Sequence, residues 1–373
     1  MDSLPVWLEN SAHAFAQNPD KVLTQAERSL EKWFARKKVL EKKWEKHRRT
    51  LPKHVARILK GKNMFLLREL LLVSGCPDAT LADDLMRGLP LVGKLKPCGN
   101  GTLADEEQIM SEEQPLDEAR RFLNNNAVRN SQRMKAQPRI LEALNSKVHK
   151  DIAKGISAEI DLEKALHAAG FISERFGNDE GWRKRDGLWS RKVRPCDNYK
   201  KSRLNRATWL PEKVTFQNLD VVTAIARILW GYGHHDLEFF LEDFVGAYNT
   251  LPMGESHLKF AQGVRPDSSG NGIRAFQGFA LPFGSISSVY GWNRLAEALQ
   301  RILGYFGIPS SRWVDDLTFI VPAKFRQRVV KLVNELIQGL IGWELDKDKK
   351  QSGPRVISLG VTVQAPEKGD QFL

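Results

Sequence analysis

The sequence predicts an α+β fold with helices layered on one face of a sheet. Three observations carry the prediction. Residues 1–75 read as helical, with apolar side chains recurring at helical spacing among many charges. From about residue 150 the texture changes and strand patterns interleave with helical ones. Two of those strand patterns end in acids: Leu237-Glu238-Phe239-Phe240-Leu241-Glu242-Asp243, and a hairpin pattern with Asp315-Asp316 between apolar arms.

Taken in order, Glu27 to Arg49 places Leu30, Phe34, Leu40 and Trp44 on one face of a charged helix that Leu51-Pro52 ends. A second helix runs from about Pro52 to Leu72 and is stopped by Gly75-Cys76-Pro77. Residues 95–116 collect Gly, Pro and the acids Asp105, Glu106, Glu107, Glu112 and Glu113, which predicts an exposed acidic linker. A polar helical connection is expected over 117–149. The chain thus divides into a basic helical region (1–94), the linker, the connection, and a mixed region (150–373). Within the last, helical patterns fall at Leu162–Ala169, 218–230, Ile286–Phe306 and 323–341. Strands are expected over Leu237–Phe244 and Val356–Val363, a basic Trp-containing segment over 181–206, and a Gly-rich loop over 262–273.

At 373 residues, 42% hydrophobic and 27% charged, the chain has an ordinary globular composition with room for a sizeable core. No apolar run approaches the roughly 18 residues that span a bilayer; Met64 to Val73 is interrupted by Arg68 and Glu69. The Met-Asp-Ser start lacks a basic-then-apolar signal, so no membrane partner and an intracellular location, cytoplasmic or nuclear, are expected. Cys76, Cys98 and Cys196 are scattered without metal spacing, as in a reducing compartment. Net charge is +12 and concentrated: Arg28 to Lys62 holds fourteen Lys/Arg against three Glu, and Arg183 to Arg206 holds ten against two Asp. Such clusters favour a polyanion, because each phosphate neutralised releases counterions.

Phe239, Leu241 and Asp243 share one face of their strand by period-two alternation, so Asp243 carries a carboxylate to the rim of a buried face. That is costly unless the group is paired or metal-bound. The Asp315-Asp316 pair, read as the turn of its hairpin, is the natural neighbour. If the strands pack side by side, three carboxylates converge into a site for two Mg²⁺ or Mn²⁺ ions. A solvated Asp turn is the alternative. His234-His235-Asp236 alternates faces in a strand and reads as a loop entering it, not as a metal site. Ser287-Ser288 has no His or Asp partner at nucleophile spacing.

At this point the sequence resembles the reverse transcriptases of the right-hand polymerase superfamily. Asp243-Phe-Val-Gly-Ala-Tyr248-Asn-Thr-Leu-Pro252 is similar to their first palm motif, and Leu281-Pro282-Phe283-Gly284-Ser285 to the next. Trp313-Val314-Asp315-Asp316 resembles the third, Lys349-Lys350-Gln351 and Ser358-Leu359-Gly360 the last two, and Lys192-Val-Arg194-Pro195-Cys-Asp197 a fingers strand upstream. A narrower resemblance is to retroelement-type polymerases abundant in dinoflagellate transcripts. The resemblance implies fingers and palm in 150–373, an antiparallel palm sheet packed on helices, and template-dependent DNA synthesis from dNTPs on an RNA or DNA template–primer. It implies Asp243, Asp315 and Asp316 as catalytic metal ligands, and Lys192 and Arg194 on the triphosphate. Tyr248 would stand against the 2′ position of the sugar, and Gly284 would present its backbone to substrate. Lys349 or Lys350 would sit near the pyrophosphate, with Leu359 and Gly360 at the primer grip. The basic N-terminal helix would hold template–primer.

Departures accompany the match. Trp313 replaces the usual Tyr or Phe, and the sequence ends at Leu373 soon after the last motif, leaving no thumb, RNase H or integrase segment in view. Either a thumb is missing or residues 1–150 clamp in its place. The competing readings are an RNA-dependent RNA polymerase on the same palm and a silent module that only binds nucleic acid.

Overall fold

A computed structural model describes residues 4–99, 101–104, 113–133, 138–185, 188–269 and 272–366. The N-terminal quarter is helical, as the periodicity predicts: α1 (Val6–Gln17), α2 (Pro19–Arg48), α3 (Lys53–Ile58), α4 (Met64–Val73) and α5 (Leu81–Arg87). α2 starts where Asn18 accepts from the Lys21 amide at 3.0 Å, with Pro19 at the first helical position. It then meets no Gly or Pro before Pro52. The single helix expected over 52–72 is two, because Gly61 adopts φ 81° and Asn63 starts a new helix by capping the Leu66 amide. The connection over 117–149 is likewise two helices, α6 (Glu113–Arg133) and α7 (Pro138–Ala153).

Two larger sheets follow. The first is five-stranded and mixed, in the order β2-β8-β7-β3-β4, where β2 is Ser157–Ile160, β3 Ile172–Arg185, β4 Leu188–Asp197, β7 Gln262–Pro266 and β8 Ile273–Gly278. The segment 262–273, expected as a Gly-rich loop, opens with β7 and reaches the first residue of β8, with a turn beginning at 267 between them. Gly263 stands directly across from Phe276, and the absent Cβ is what leaves room for that ring. α8 (Leu162–His167) joins β2 to β3, and a two-stranded pair, β1 (Gly93–Lys94) with β5 (Thr208–Trp209), ties the N-terminal region to the middle of the chain.

The second sheet is four-stranded and antiparallel, in the order β11-β6-β10-β9, with β6 Leu237–Asp243, β9 Ser311–Trp313, β10 Asp316–Pro322 and β11 Gln351–Gly353. α9 (Leu219–Gly231), α10 (Ile286–Tyr305) and α11 (Arg326–Asn334) pack around it. α11 is continued by a π-helical turn, Glu335–Ile341, which ends at Gly342 (φ 96°), where the Gly61 carbonyl approaches too closely for a side chain. The strand expected over Val356–Val363 is a hairpin, β12 (Arg355–Ser358) and β13 (Val361–Gln364). Leu359 and Gly360 both take positive φ at its turn, the geometry of a two-residue hairpin loop.

One buried apolar cluster runs from Leu4 and Leu8 through Trp44 and Trp292 to Ala365, so the N-terminal helices and the four-stranded sheet share a core. The start of the segment expected as an exposed linker is pinned: Leu95 and Cys98 are buried near Tyr290, and the Cys98 and Gly99 amides donate to Glu212 at 3.1 and 2.6 Å. Its acids at 105–112 lie outside the described residues. Among the described residues no helix is long and apolar enough to cross a membrane.

The position of α2 differs from expectation. α11 bonds Glu238 and Glu242 through Arg326 and Asn334. Those two acids point to the strand face opposite Leu241 and Asp243. α2 packs outside α11, with Arg328 reaching Glu27 at 2.7 Å and Lys37 reaching the Gly339 carbonyl at 2.7 Å. The basic helix thus lies behind the sheet and its helical layer, on the side away from Asp243.

Candidate metal centre

Antiparallel pairing sets Asp316 directly across from Asp243. The hairpin register differs by one residue from the reading with both acids at the turn. Trp313 pairs with Asp316, so the two-residue turn is Val314-Asp315 and Asp316 is the first residue of β10. Val314 holds φ 52°, a conformation a β-branched residue resists. Its carbonyl accepts from the indole N–H of the buried Trp292 at 2.8 Å, which helps hold the turn. One carboxylate oxygen from each of Asp243, Asp315 and Asp316 can lie within 4.8 Å of the others. Among the described residues this is the one such grouping of His, Cys, Asp or Glu. His234 bonds the Ala16 carbonyl and His235 packs on Trp230.

The electrostatics suit a cation. Burial, with Asp315 nearby, raises the Asp243 pKa despite its bond to Lys349. Burial, then Asp243 and Asp315, pushes Asp316 up to about 6. Lys349 loses hydration by burial, but its bond to Asp243 and the surrounding acids raise it on balance. Asp243 Oδ1 is buried without a hydrogen-bond partner. Three hard oxygen donors, one of them an orphan, fit a divalent ion of the magnesium or manganese type.

Asp315 and Asp316 line a cleft of about 690 Å³ between the two sheets; Asp243, across the ladder from Asp316, is not among the lining residues. Tyr248 lines it, its ring 5.4 Å from Phe283, and burial followed by the Asp315 charge pushes its hydroxyl up to about 12. Arg194 also lines the cleft, 5.0 Å from the Phe283 ring, and pairs with Glu180 at 2.9 Å. Lys192 pairs with the same Glu180 at 3.0 Å but is not part of the lining. The two lysine candidates separate: Lys349 enters the acid cluster, whereas Lys350 turns to Glu242 and Asn334, each at 2.9 Å, on the other side of β6. Leu359 lines the cleft and Gly360 completes its turn. Gly284 is placed differently from expectation. It takes φ 101°, and a Cβ there would overlap the Asp197 carbonyl, so it packs against the end of β4 and is not among the residues lining the cleft. Trp313 is partly exposed and rests 5.4 Å from Phe216.

Sequence reasoning gave no role to several lining groups, among them Asp197, Arg175 and Asp346. Asp197 is clamped by Arg175 through bonds of 2.7 and 2.8 Å, and Arg175 is itself stacked 4.0 Å over Phe276. Asp346 donates its amide to the Asp243 carbonyl at 2.7 Å. The signal for Asp346 was its place in the acidic and basic run leading to Lys349. Nothing local marked Arg175.

No family model and no curated protein matches the sequence. Among solved structures the chain is similar to a foamy viral protease-reverse transcriptase in complex with double-stranded DNA, at 14% identity, a TM-score of 0.39 and 61% coverage of this chain. The match spans 34% of that chain, about a third of its length.

Proposed function

We propose that the chain is a template-dependent DNA polymerase of reverse-transcriptase type. The observation that carries the reading is Asp316 set opposite Asp243 with Asp315 on the adjoining turn, beside a cleft that Asp315 and Asp316 line together with Tyr248, Arg194 and Lys349. Asp243 and Asp315 would hold two divalent ions, with Asp316 in support. Magnesium or manganese, when bound, supplies activation of a primer 3′-oxygen and charge neutralisation at the leaving pyrophosphate. Arg194 offers a planar fork to triphosphate oxygens, with Lys192 adding charge behind it. Glu180, which pairs with both, is the anion a triphosphate would displace. Tyr248, neutral at ordinary pH, fills the space where a 2′-hydroxyl would project. Lys349 is the lysine placed to take a pyrophosphate oxygen. Leu359, on its left-handed turn, would contact the primer end.

The test is primer extension on an RNA template, with dNTPs or NTPs, with and without Mg²⁺. Metal-dependent incorporation of dNTPs supports the reading, and its loss in Asp315→Asn with nucleic-acid binding retained assigns the acids. Use of NTPs alone would replace it with RNA synthesis. Binding without any incorporation would replace it with a binding module.

A further inference from the structure

α2 carries one more feature that the cleft does not use. Positions 21, 25, 28, 32, 35, 39, 42 and 46 follow alternating four- and three-residue steps, which keeps them on one line along the helix. All eight are exposed. Five are cations (Lys21, Arg28, Lys32, Lys42 and Lys46) and none is acidic. Of the other Lys and Arg residues of the helix, Lys38 is exposed as well, and four are engaged: Arg36 with Glu69 at 2.8 Å, Lys37 with the Gly339 carbonyl, Lys43 over the Phe65 ring, and Arg48 with Glu45 at 2.9 Å. The side chains of the five seam cations have no hydrogen bond or ion pair among the described residues. The inner face of α2 is fixed by Leu23, Leu30, Leu40 and Trp44 in the core, so the seam is held outward as a straight rod. At 1.5 Å per residue its cations span about 37 Å.

We infer that this seam is a second nucleic-acid surface that takes the phosphate backbone, separate from the cleft and on the far side of the four-stranded sheet. A single-sign line of charge of this length is complementary to a polymer with regularly repeated anions. Val39 is the one large apolar side chain on it, too little to insert into a bilayer interface. Among the described residues none before Lys147 lines the cleft, so nucleic acid on the seam would not compete directly for the acids. The inference shares with the proposed function only the class of partner, and its test needs no catalysis.

The experiment compares the full chain with a variant carrying Lys21→Gln, Arg28→Gln, Lys32→Gln, Lys42→Gln and Lys46→Gln. All five sites are exposed helix positions, so an unchanged melting curve is the folding control. Fluorescence anisotropy with a labelled duplex of about 30 base pairs is read across a salt series; each phosphate contact contributes roughly 0.9 to the slope of log K against log salt. The expected result is a loss of roughly tenfold or more in affinity and a salt slope shallower by about 4. Arginine at all five positions should retain both. Unchanged affinity and slope in the Gln variant overturn the inference. So does seam-dependent binding to vesicles of anionic phospholipid with none to the duplex. Seam-dependent duplex binding by a chain that incorporates no nucleotide would leave this surface standing and remove the polymerase reading.

Discussion

Asp316 shows how a single side chain can be set against stability. Its pKa is raised to about 6 from 3.8 by burial and by two neighbouring acids, so its ionised form is disfavoured in the folded protein. For an acid raised in this way, metal-free stability grows as pH falls from about 6 towards 3.8, and the penalty is fully present above about 6. Asp316→Asn should therefore raise stability in EDTA at pH 7.5 by on the order of 1–3 kcal/mol, as read from urea denaturation, and shrink the stabilisation that added Mg²⁺ gives. An unchanged midpoint would mean the acids do not strain one another. Tyr248 belongs to the same scale. Tyr248→Val should relax discrimination against NTPs in the primer-extension assay by roughly tenfold or more, the scale of about 1–3 kcal/mol in a packed site; equal discrimination would place sugar selection elsewhere.

At the scale of elements, the turns do most of the positioning. The Val314-Asp315 turn is strained at Val314 and held by Trp292, and it delivers Asp315 beside two strand residues that the ladder has already aligned. The Gly284 turn, just before α10, packs on the end of β4, where Asp197 also donates its amide to the Phe283 carbonyl at 3.2 Å. Gly284→Ala meets both a left-handed backbone and a carbonyl oxygen, so it should cost on the order of 2–4 kcal/mol in thermal or urea unfolding. A near-neutral result would show that the turn can shift away from β4 without loss. Gly284 was read from the sequence as a substrate contact; its role as a joint depended on a neighbour 87 positions earlier in the chain.

The whole molecule is held by a core that ignores the divisions visible in the sequence. Trp44 is almost fully buried in the cluster that includes Trp292 and Phe319. Trp44→Ala should cost roughly 3–5 kcal/mol and lower the unfolding midpoint in one cooperative transition; a separate early transition would mean the N-terminal helices fold independently. Lys62 sits at the same junction, buried, donating to the Ile58 carbonyl at 2.9 Å and lying 5.4 Å from the Trp343 ring. Burial lowers its pKa from 10.5 to about 8. The unfolded chain thus binds more protons between those values, and stability should rise as pH climbs from about 8 towards 10.5. Lys62→Met should flatten that rise in urea titrations at pH 7.5 and 9.5, and a slope identical to wild type would show that Lys62 is not its source.

The sequence by itself determined the α+β class, the helical N-terminal quarter, and the strand that carries Asp243 to its rim, because periodicity and local turn chemistry record which face of an element is buried. It also singled out Asp243, Asp315 and Asp316, since carboxylates next to buried strand faces are rare enough to notice. Only the tertiary structure decided the hairpin register, which shifts the turn by one residue. It alone distinguished Lys349 from Lys350, recruited Arg175 and Asp197 to the cleft, and put α2 behind the sheet. Each of these depends on contacts between residues far apart in the chain, where neither spacing nor composition leaves a local trace.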